Sequence, residues 1–259
     1  MTDTPNNVLQ YSMRLLRFVG SISLLIVSLI GLSACRKMLP APSLDPSALT
    51  VICLGDSITA GTHSDGDDGQ LAYPALLQKI LQEYRPQIQV INEGQDGWQV
   101  DDVSAHVQTW LTPASPDAIL LQIGTNDLEQ GATPDEVGRR LDILVTQIQQ
   151  IAPKSHLYIA SCTRVRTDNR PKLSLTLLED FNNLVPKIAK DHEGRGRFVV
   201  YVDLFKRAGL EDVDFGPDGE HPNDTGYQKI AEYWSWELQR HEASSLHQTI
   251  IKKEVSDEQ

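Results

Sequence analysis

This sequence predicts a three-layer α/β/α sandwich: a five-stranded parallel β-sheet covered by helices on both faces. Three observations predict it. Five short apolar runs have the length and composition of buried strands. Longer segments with apolar residues at helical spacing separate most of them. Strand and helix alternate along the chain, the pattern of repeated βα units, whose crossovers place helices on both faces of a parallel sheet.

The strands are expected at Thr50–Leu54, Gln89–Ile91, Ala118–Ile123, His156–Ala160 and Phe198–Val202. A helix is expected over Tyr73–Glu83, where Leu76, Leu77, Ile80 and Leu81 share one face. A second spans Pro134–Ile151, with Pro134 suited to a first helical turn and Val137, Leu141, Leu144, Val145 and Ile148 recurring at three and four. A third covers about Leu175–Lys190, kinked or interrupted at Pro186. The last runs from about Thr225 to Arg240. Polar, glycine-bearing segments follow the first three strands: Gly55-Asp56-Ser57, Gly94–Gly97 and Gly124–Asp127. In open α/β sheets ligands bind at that carboxyl edge, so these three loops are expected to converge on one crevice. There is no internal repeat and no sign of a second domain.

Charge and composition narrow the function classes. The 259 residues carry a formal net charge of −12 and no dense Lys/Arg cluster, which argues against a nucleic-acid partner. The three cysteines make neither a disulfide framework nor a zinc spacing. Cys53 and Cys162 sit in or beside apolar runs and read as small buried hydrophobes.

Cys35 is different. Arg14 and Arg17 precede Phe18–Ala34, 17 residues without a charge, and the run ends in Leu32-Ser33-Ala34-Cys35. A basic flank, an apolar middle and small residues at the end compose an export signal. The ending resembles the lipobox of bacterial lipoproteins. That resemblance implies cleavage before Cys35, lipidation of Cys35 and an exported protein anchored on the periplasmic or cell-surface side of a membrane; the competing reading is an uncleaved anchor. The expected organisation is a signal over 1–34, a Pro-rich tether over 35–49, a catalytic-type domain over 50–242 and a polar tail over 243–259.

Four short segments carry chemistry. Ser57 lies in Gly55-Asp56-Ser57-Ile58-Thr59, directly after the first strand, where a serine hydroxyl can stand at the sheet edge as a nucleophile. Asp218 precedes His221 by three residues in Asp218-Gly219-Glu220-His221-Pro222, a spacing that lets the carboxylate hold one ring nitrogen while the other accepts a proton. Asn126, in Gly124-Thr125-Asn126-Asp127, offers an uncharged amide donor for an oxyanion. Gly97, in Asn92-Glu93-Gly94-Gln95-Asp96-Gly97, can bring a backbone N–H close to substrate, and Gly94 competes with it for that role.

Ser57, Gly97, Asn126 and His221, in this order and each in its own local sequence, resemble the four marker positions of SGNH (GDSL-type) hydrolases; ILLQIGTNDL and DGEHPNDTGYQKIA are the most specific parts, and the resemblance runs from Val51 to about Ala231. It implies a flavodoxin-like sandwich and a covalent acyl-enzyme, with Ser57 as nucleophile, His221 as general base and then acid, and Asp218 as its orienting carboxylate. It implies an oxyanion hole of the Gly97 N–H, the Asn126 side chain and the Ser57 N–H, with no cofactor and no metal. Ile58 stands where the family name has leucine, and Asp96 stands where a small residue is usual. The GDSIT start and the DG-x-HPND-x-GY ending look most like carbohydrate (acetylxylan-type) esterases, so the expected partner is a small-molecule or carbohydrate ester with a short acyl group. The alternatives are a lysophospholipase or thioesterase on the same machinery, which the membrane signal favours, and a binding lipoprotein without catalysis, against which the four markers weigh.

Other residues invite lesser readings. His63, Asp65, Asp67 and Asp68 lack a calcium-loop pattern and read as a solvated rim. Asp203 reads as structural, Trp98 as cleft lining or core, one of Trp234 and Trp236 as core, and Arg164 and Arg166 as substrate contacts or solvated side chains.

Overall fold

The structure, a computed structural model, describes residues 49–62, 71–166 and 173–257, with their side chains as far as His241. The expected signal, Cys35, nearly all of the expected tether and the segment His63–Asp68 lie outside the described residues.

Five strands, β1 Thr50–Gly55, β2 Gln89–Gly94, β3 Ala118–Gln122, β4 His156–Ala160 and β5 Val199–Val202, form one sheet in the order β2-β1-β3-β4-β5. Every pairing is parallel, with Gly55 opposite both Gly94 and Gln122. The order reverses at β1, so the crevice lies where the β1 loop meets its neighbours. Side chains of β1 alternate between two apolar cores: Ile52 and Leu54 face one, Val51 and Cys53 the other. Burial on both faces explains the unbroken apolar runs of β1 and β3. Edge strand β2 is less buried and runs three residues past the expected Ile91, through polar Asn92 and Glu93, because backbone pairing to β1 does not depend on apolar side chains.

The helices follow local chemistry. The short α1, Ser57–Ala60, is capped by Asp56, whose carboxylate accepts from the Ile58 N–H, and ends at Gly61 with φ 95°. α2, Tyr73–Gln82, buries Leu76, Leu77 and Leu81. α3, Val100–Ala114, is a helix the apolar spacing did not announce. Its buried stripe is narrow (Val100, Val103, Val107, Leu111) and Pro113 stands in its last turn. α4 is Thr125–Glu129. α5, Pro134–Ile151, keeps its expected bounds and starts on a reciprocal capping box, Thr133 with Glu136.

Pro186 divides the expected third helix into α6, Leu175–Asn182, and α7, Val185–Glu193. Proline lacks an N–H and its ring crowds the carbonyl four residues back, which is that of Asn182, the last residue of α6. α8 is Leu204–Arg207, and a 3₁₀ turn covers Asp212–Asp214. α9, Asp224–Asp257, continues well past the Arg240 expected as its end, through the segment read as a tail. Residues of α3, α5, α6 and α7 pack on the Ile52/Leu54 face, and those of α2 and α9 on the Val51/Cys53 face. This is the expected sandwich.

Candidate active site

The site is built from the carboxyl edge upward. Ser57 is the first residue of α1, separated from β1 only by Asp56, and is almost wholly buried. Its Oγ lies 2.8 Å from His221 Nε2, and His221 Nδ1 lies 2.7 Å from Asp218 Oδ2. A carboxylate at Nδ1 requires that nitrogen to carry the hydrogen, so Nε2 is left to accept from the serine hydroxyl. The loop that presents His221 is tight. Asp218 Oδ1 accepts from the backbone N–H groups of both Glu220 and His221 at 3.0 Å, and Gly219 takes φ 75°. The Gly216 N–H donates to the His221 carbonyl, and the Arg166 N–H to the Gly219 carbonyl. The histidine backbone is therefore fixed from two sides.

The two glycines have different environments. The Gly94 N–H donates to Asn92 Oδ1 at 2.9 Å, and a Cβ at Gly94 would stand 2.2 Å from Ala60 N, so Gly94 is where α1 rests on β2. Gly97 has φ 75° with open space where a Cβ would be, at the third position of a turn closed by the Trp98 N–H on the Gln95 carbonyl. Among the described residues the N–H groups of Gly97 and Ser57 have no acceptor. Asn126 Nδ2 donates one hydrogen to the Trp98 carbonyl at 2.9 Å, which leaves the other for a ligand. The Gln95 N–H donates to the Gly55 carbonyl, tying the Gly97 turn to the end of β1. The Asp96 carboxylate, a charge not usual at this place, is held by the Thr62 hydroxyl, and the Thr62 carbonyl accepts from Tyr227.

Two buried acids stand behind these groups. Burial pushes the Asp56 carboxyl up to about 7, with the charges of Asp127 and Asp96 adding to it against backbone N–H bonds that oppose it. Asp127 is also raised by burial, opposed by the Val100 N–H and by Arg140. The Cys53 and Cys162 thiols are buried and pushed up to about 12, which suits packing and not nucleophilic chemistry.

The remaining residues singled out in the sequence sort plainly. Asp203 caps α8 through the Lys206 N–H. Trp98 stacks with Trp110, lies tilted against His106 and packs on the core. Trp234 is wholly buried beside Tyr73, while Trp236 lies against Tyr233 under Arg240. Arg164 binds Asp212 and the Leu210 carbonyl. A cleft of about 580 Å³ lined by Arg164, Val165, Arg166, Leu175 and Phe215 adjoins the histidine loop through the Arg166–Gly219 bond. A second cavity of about 550 Å³, between Val51, Ala118, Tyr158 and Leu238, opens at the amino end of the sheet and shares no residue with the site.

Comparison with known proteins bears on this geometry. The sequence model of the GDSL-like Lipase/Acylhydrolase family matches residues 53–229. A multidomain esterase of Ruminococcus flavefaciens is 28% identical over 85% of this chain and 32% of its own length, so the chain spans about a third of that relative. An arylesterase of Vibrio mimicus is 25% identical over 74% of this chain and 88% of its own. Among solved structures, a family 3 carbohydrate esterase from Clostridium thermocellum superposes with a TM-score of 0.63 at 23% identity, covering 75% of this chain and 98% of that one. A lipase/acylhydrolase from Enterococcus faecalis does so with a TM-score of 0.64 at 19% identity, covering 74% and 96%. Those structural likenesses speak to the fold, and the match over 53–229 carries the lineage: this chain belongs to the GDSL-like lipase/acylhydrolase family.

Proposed function

We propose that the chain hydrolyses carboxylic esters through an acyl-enzyme on Ser57, and that its substrate is a short acyl group, such as acetyl, on a carbohydrate. One observation carries the reading: the hydrogen-bonded series Ser57–His221–Asp218 at 2.8 and 2.7 Å, set at the sheet edge beside donors without acceptors. His221 Nε2 takes the Ser57 proton as Oγ attacks the ester carbonyl, and Asp218 stabilises the imidazolium that forms. The carbonyl oxygen becomes negative and is met by the N–H groups of Gly97 and Ser57 and the second N–H of Asn126. His221 then returns the proton to the leaving alcohol. Water, deprotonated by the same nitrogen, releases the acid and restores Ser57.

The carbohydrate half of the reading is supported by the esterase names of the relatives and by the cleft beside the histidine loop, whose volume suits a sugar ring or two. Leu32-Ser33-Ala34-Cys35 favours attachment to a membrane through a lipidated Cys35, and with it the second reading, a lysophospholipid or thioester substrate. Initial rates on acetylated xylo-oligosaccharides, p-nitrophenyl esters of two to twelve carbons, lysophospholipids and acyl thioesters test both. Preference for acetyl sugars supports the first reading; preference for long acyl chains replaces it with the second. Absence of turnover on every ester, with no serine labelling by a fluorophosphonate, overturns catalysis and leaves a binding protein. Cys35→Ala should abolish incorporation of labelled fatty acid, and undiminished incorporation refutes lipidation there.

A further inference from the structure

We propose that Asp127, braced by Arg140, is a positioning residue that holds the oxyanion donors of Gly97 and Asn126 in register; this rests on the reading of Ser57 as nucleophile. Asp127 is adjacent to Asn126 in the chain, yet its side chain leaves the substrate crevice and is fully buried. A buried carboxylate is costly unless its oxygens are bonded. Both are: Oδ2 accepts from the Val100 N–H at 3.0 Å, and Oδ1 from Arg140 Nη1 at 3.0 Å.

The first of these bonds matters for chemistry. Val100 opens α3, three residues after Gly97, so Asp127 fixes the point at which the glycine turn joins a rigid helix. An acidic group at that end also complements the helix dipole. The neighbouring Asn126 holds the Trp98 carbonyl, and Gln130, one turn along, accepts from Gln99 Nε2 at 2.6 Å. Residues 98, 99 and 100 are thus each bonded to the segment 126–130, while Gln95 is bonded to the end of β1. Gly97 sits between these two anchors. Arg140, from α5, clamps Asp127 and also approaches Asp101 at 3.6 Å, so the start of α3 and the Asn126 segment are tied to the same guanidinium. The second N–H of Asn126 and the N–H of Gly97 belong to two different loops, and Asp127 is the buried group that joins those loops.

A test compares Asp127→Ala, Asp127→Asn and Arg140→Ala with wild type on p-nitrophenyl acetate. Each rate is divided by the concentration of serine that a fluorophosphonate labels at completion, which removes loss of folded protein from the result. Phenylboronic acid, whose tetrahedral serine adduct puts an oxygen in the oxyanion position, supplies an inhibition constant. For Asp127→Ala, kcat should fall by about 30- to 100-fold, near the cost of an ångström of misplacement and short of losing a donor outright, with KM changed less than about 3-fold. The boronate constant should rise by a similar factor.

Asp127→Asn keeps an oxygen for the Val100 N–H and should lose only about 3- to 10-fold, a rescue that simple packing of the site does not predict. Arg140→Ala should fall between the two, and Asp101→Asn should stay near wild type. Equal kcat and boronate constants in wild type and Asp127→Ala overturn the proposal, as does a KM rise with kcat unchanged. If Asp127→Ala does not accumulate as folded protein, Asp127→Asn and Arg140→Ala decide by the same two constants. Ser57→Ala keeps the two readings apart: full activity in that variant rejects the nucleophile assignment, whereas an inactive Ser57→Ala beside a fully active Asp127→Ala rejects only the positioning role.

Discussion

On the proposed reading, Gly94→Ala should lower activity through a helix and not through the oxyanion. A Cβ at Gly94 would stand 2.2 Å from Ala60 N and 2.5 Å from the Thr59 carbonyl carbon, both backbone atoms of α1. The first distance falls about 1.2 Å short of the 3.4 Å at which contact becomes ordinary. Backbone cannot rotate away as a side chain does, so α1 must lift by roughly an ångström, and Ser57 lifts with it. Misplacement of that size costs on the order of a hundredfold in rate. Forcing a methyl into a packed contact costs about 1–3 kcal/mol of stability, or roughly 2–12 °C in Tm for a domain of this size. Gly97→Ala differs: nothing lies within 4 Å of its Cβ, so its penalty is the left-handed conformation alone, about 1–2 kcal/mol confined to a surface turn, with the N–H retained. The assay is kcat/KM on p-nitrophenyl acetate per fluorophosphonate-titrated site, beside thermal unfolding. Gly94→Ala should lose about a hundredfold per site and Gly97→Ala less than about tenfold. Wild-type activity and Tm in Gly94→Ala would refute the packing argument, and the reverse ranking would make Gly94 the oxyanion glycine.

Three further outcomes follow from the site. Ser57→Ala and His221→Ala should each abolish turnover on esters, the double variant should be little worse than either, and Asp218→Ala should be milder; additive losses would show that the pair does not share one step. Asn126→Ala should lower kcat by roughly 100- to 1000-fold with little change in KM, measured by steady-state kinetics, and a change in KM alone would remove it from the oxyanion site. Because burial raises Asp56 to about 7 in the folded chain, the folded state holds a proton that the unfolded state releases, so its contribution to stability is present below about pH 4 and lost as pH rises through about 7. Urea unfolding of Asp56→Asn, which keeps the Ile58 N–H acceptor, should therefore show a shallower fall between pH 5 and 8 than wild type, and parallel curves would refute it.

The strands were legible because a strand buried on both faces must be apolar throughout, as Val51–Leu54 and Ala118–Leu121 are. The limits of β2 were not, because its edge position lets it carry Asn92 and Glu93. α3 escaped notice because it buries one residue per turn, too narrow a stripe to stand out among polar neighbours. In the site, Ser57, Asn126 and the Asp218–His221 turn each carry a local signature that survives in one dimension. Asp127 with Arg140, and Thr62 with Tyr227, carry none: their partners are set by how loops meet, and Tyr227 lies 165 residues from the carbonyl it binds. The choice between Gly94 and Gly97 likewise needed the neighbours of each, since glycine looks the same in sequence whether it makes room for a helix or shapes a turn.

Ser57 and His221 are separated by 164 residues, with strands β2 to β5 encoded between them. The ribosome therefore makes Ser57 well before His221, and no growing chain holds both until all five strands have been made. Even then the histidine turn is closed by bonds to Arg166, after β4, and to Gly216, after β5. On the proposed reading, a chain cut before the His221 turn, or one whose last βα unit has not docked on the first, presents Ser57 with no histidine to take its proton.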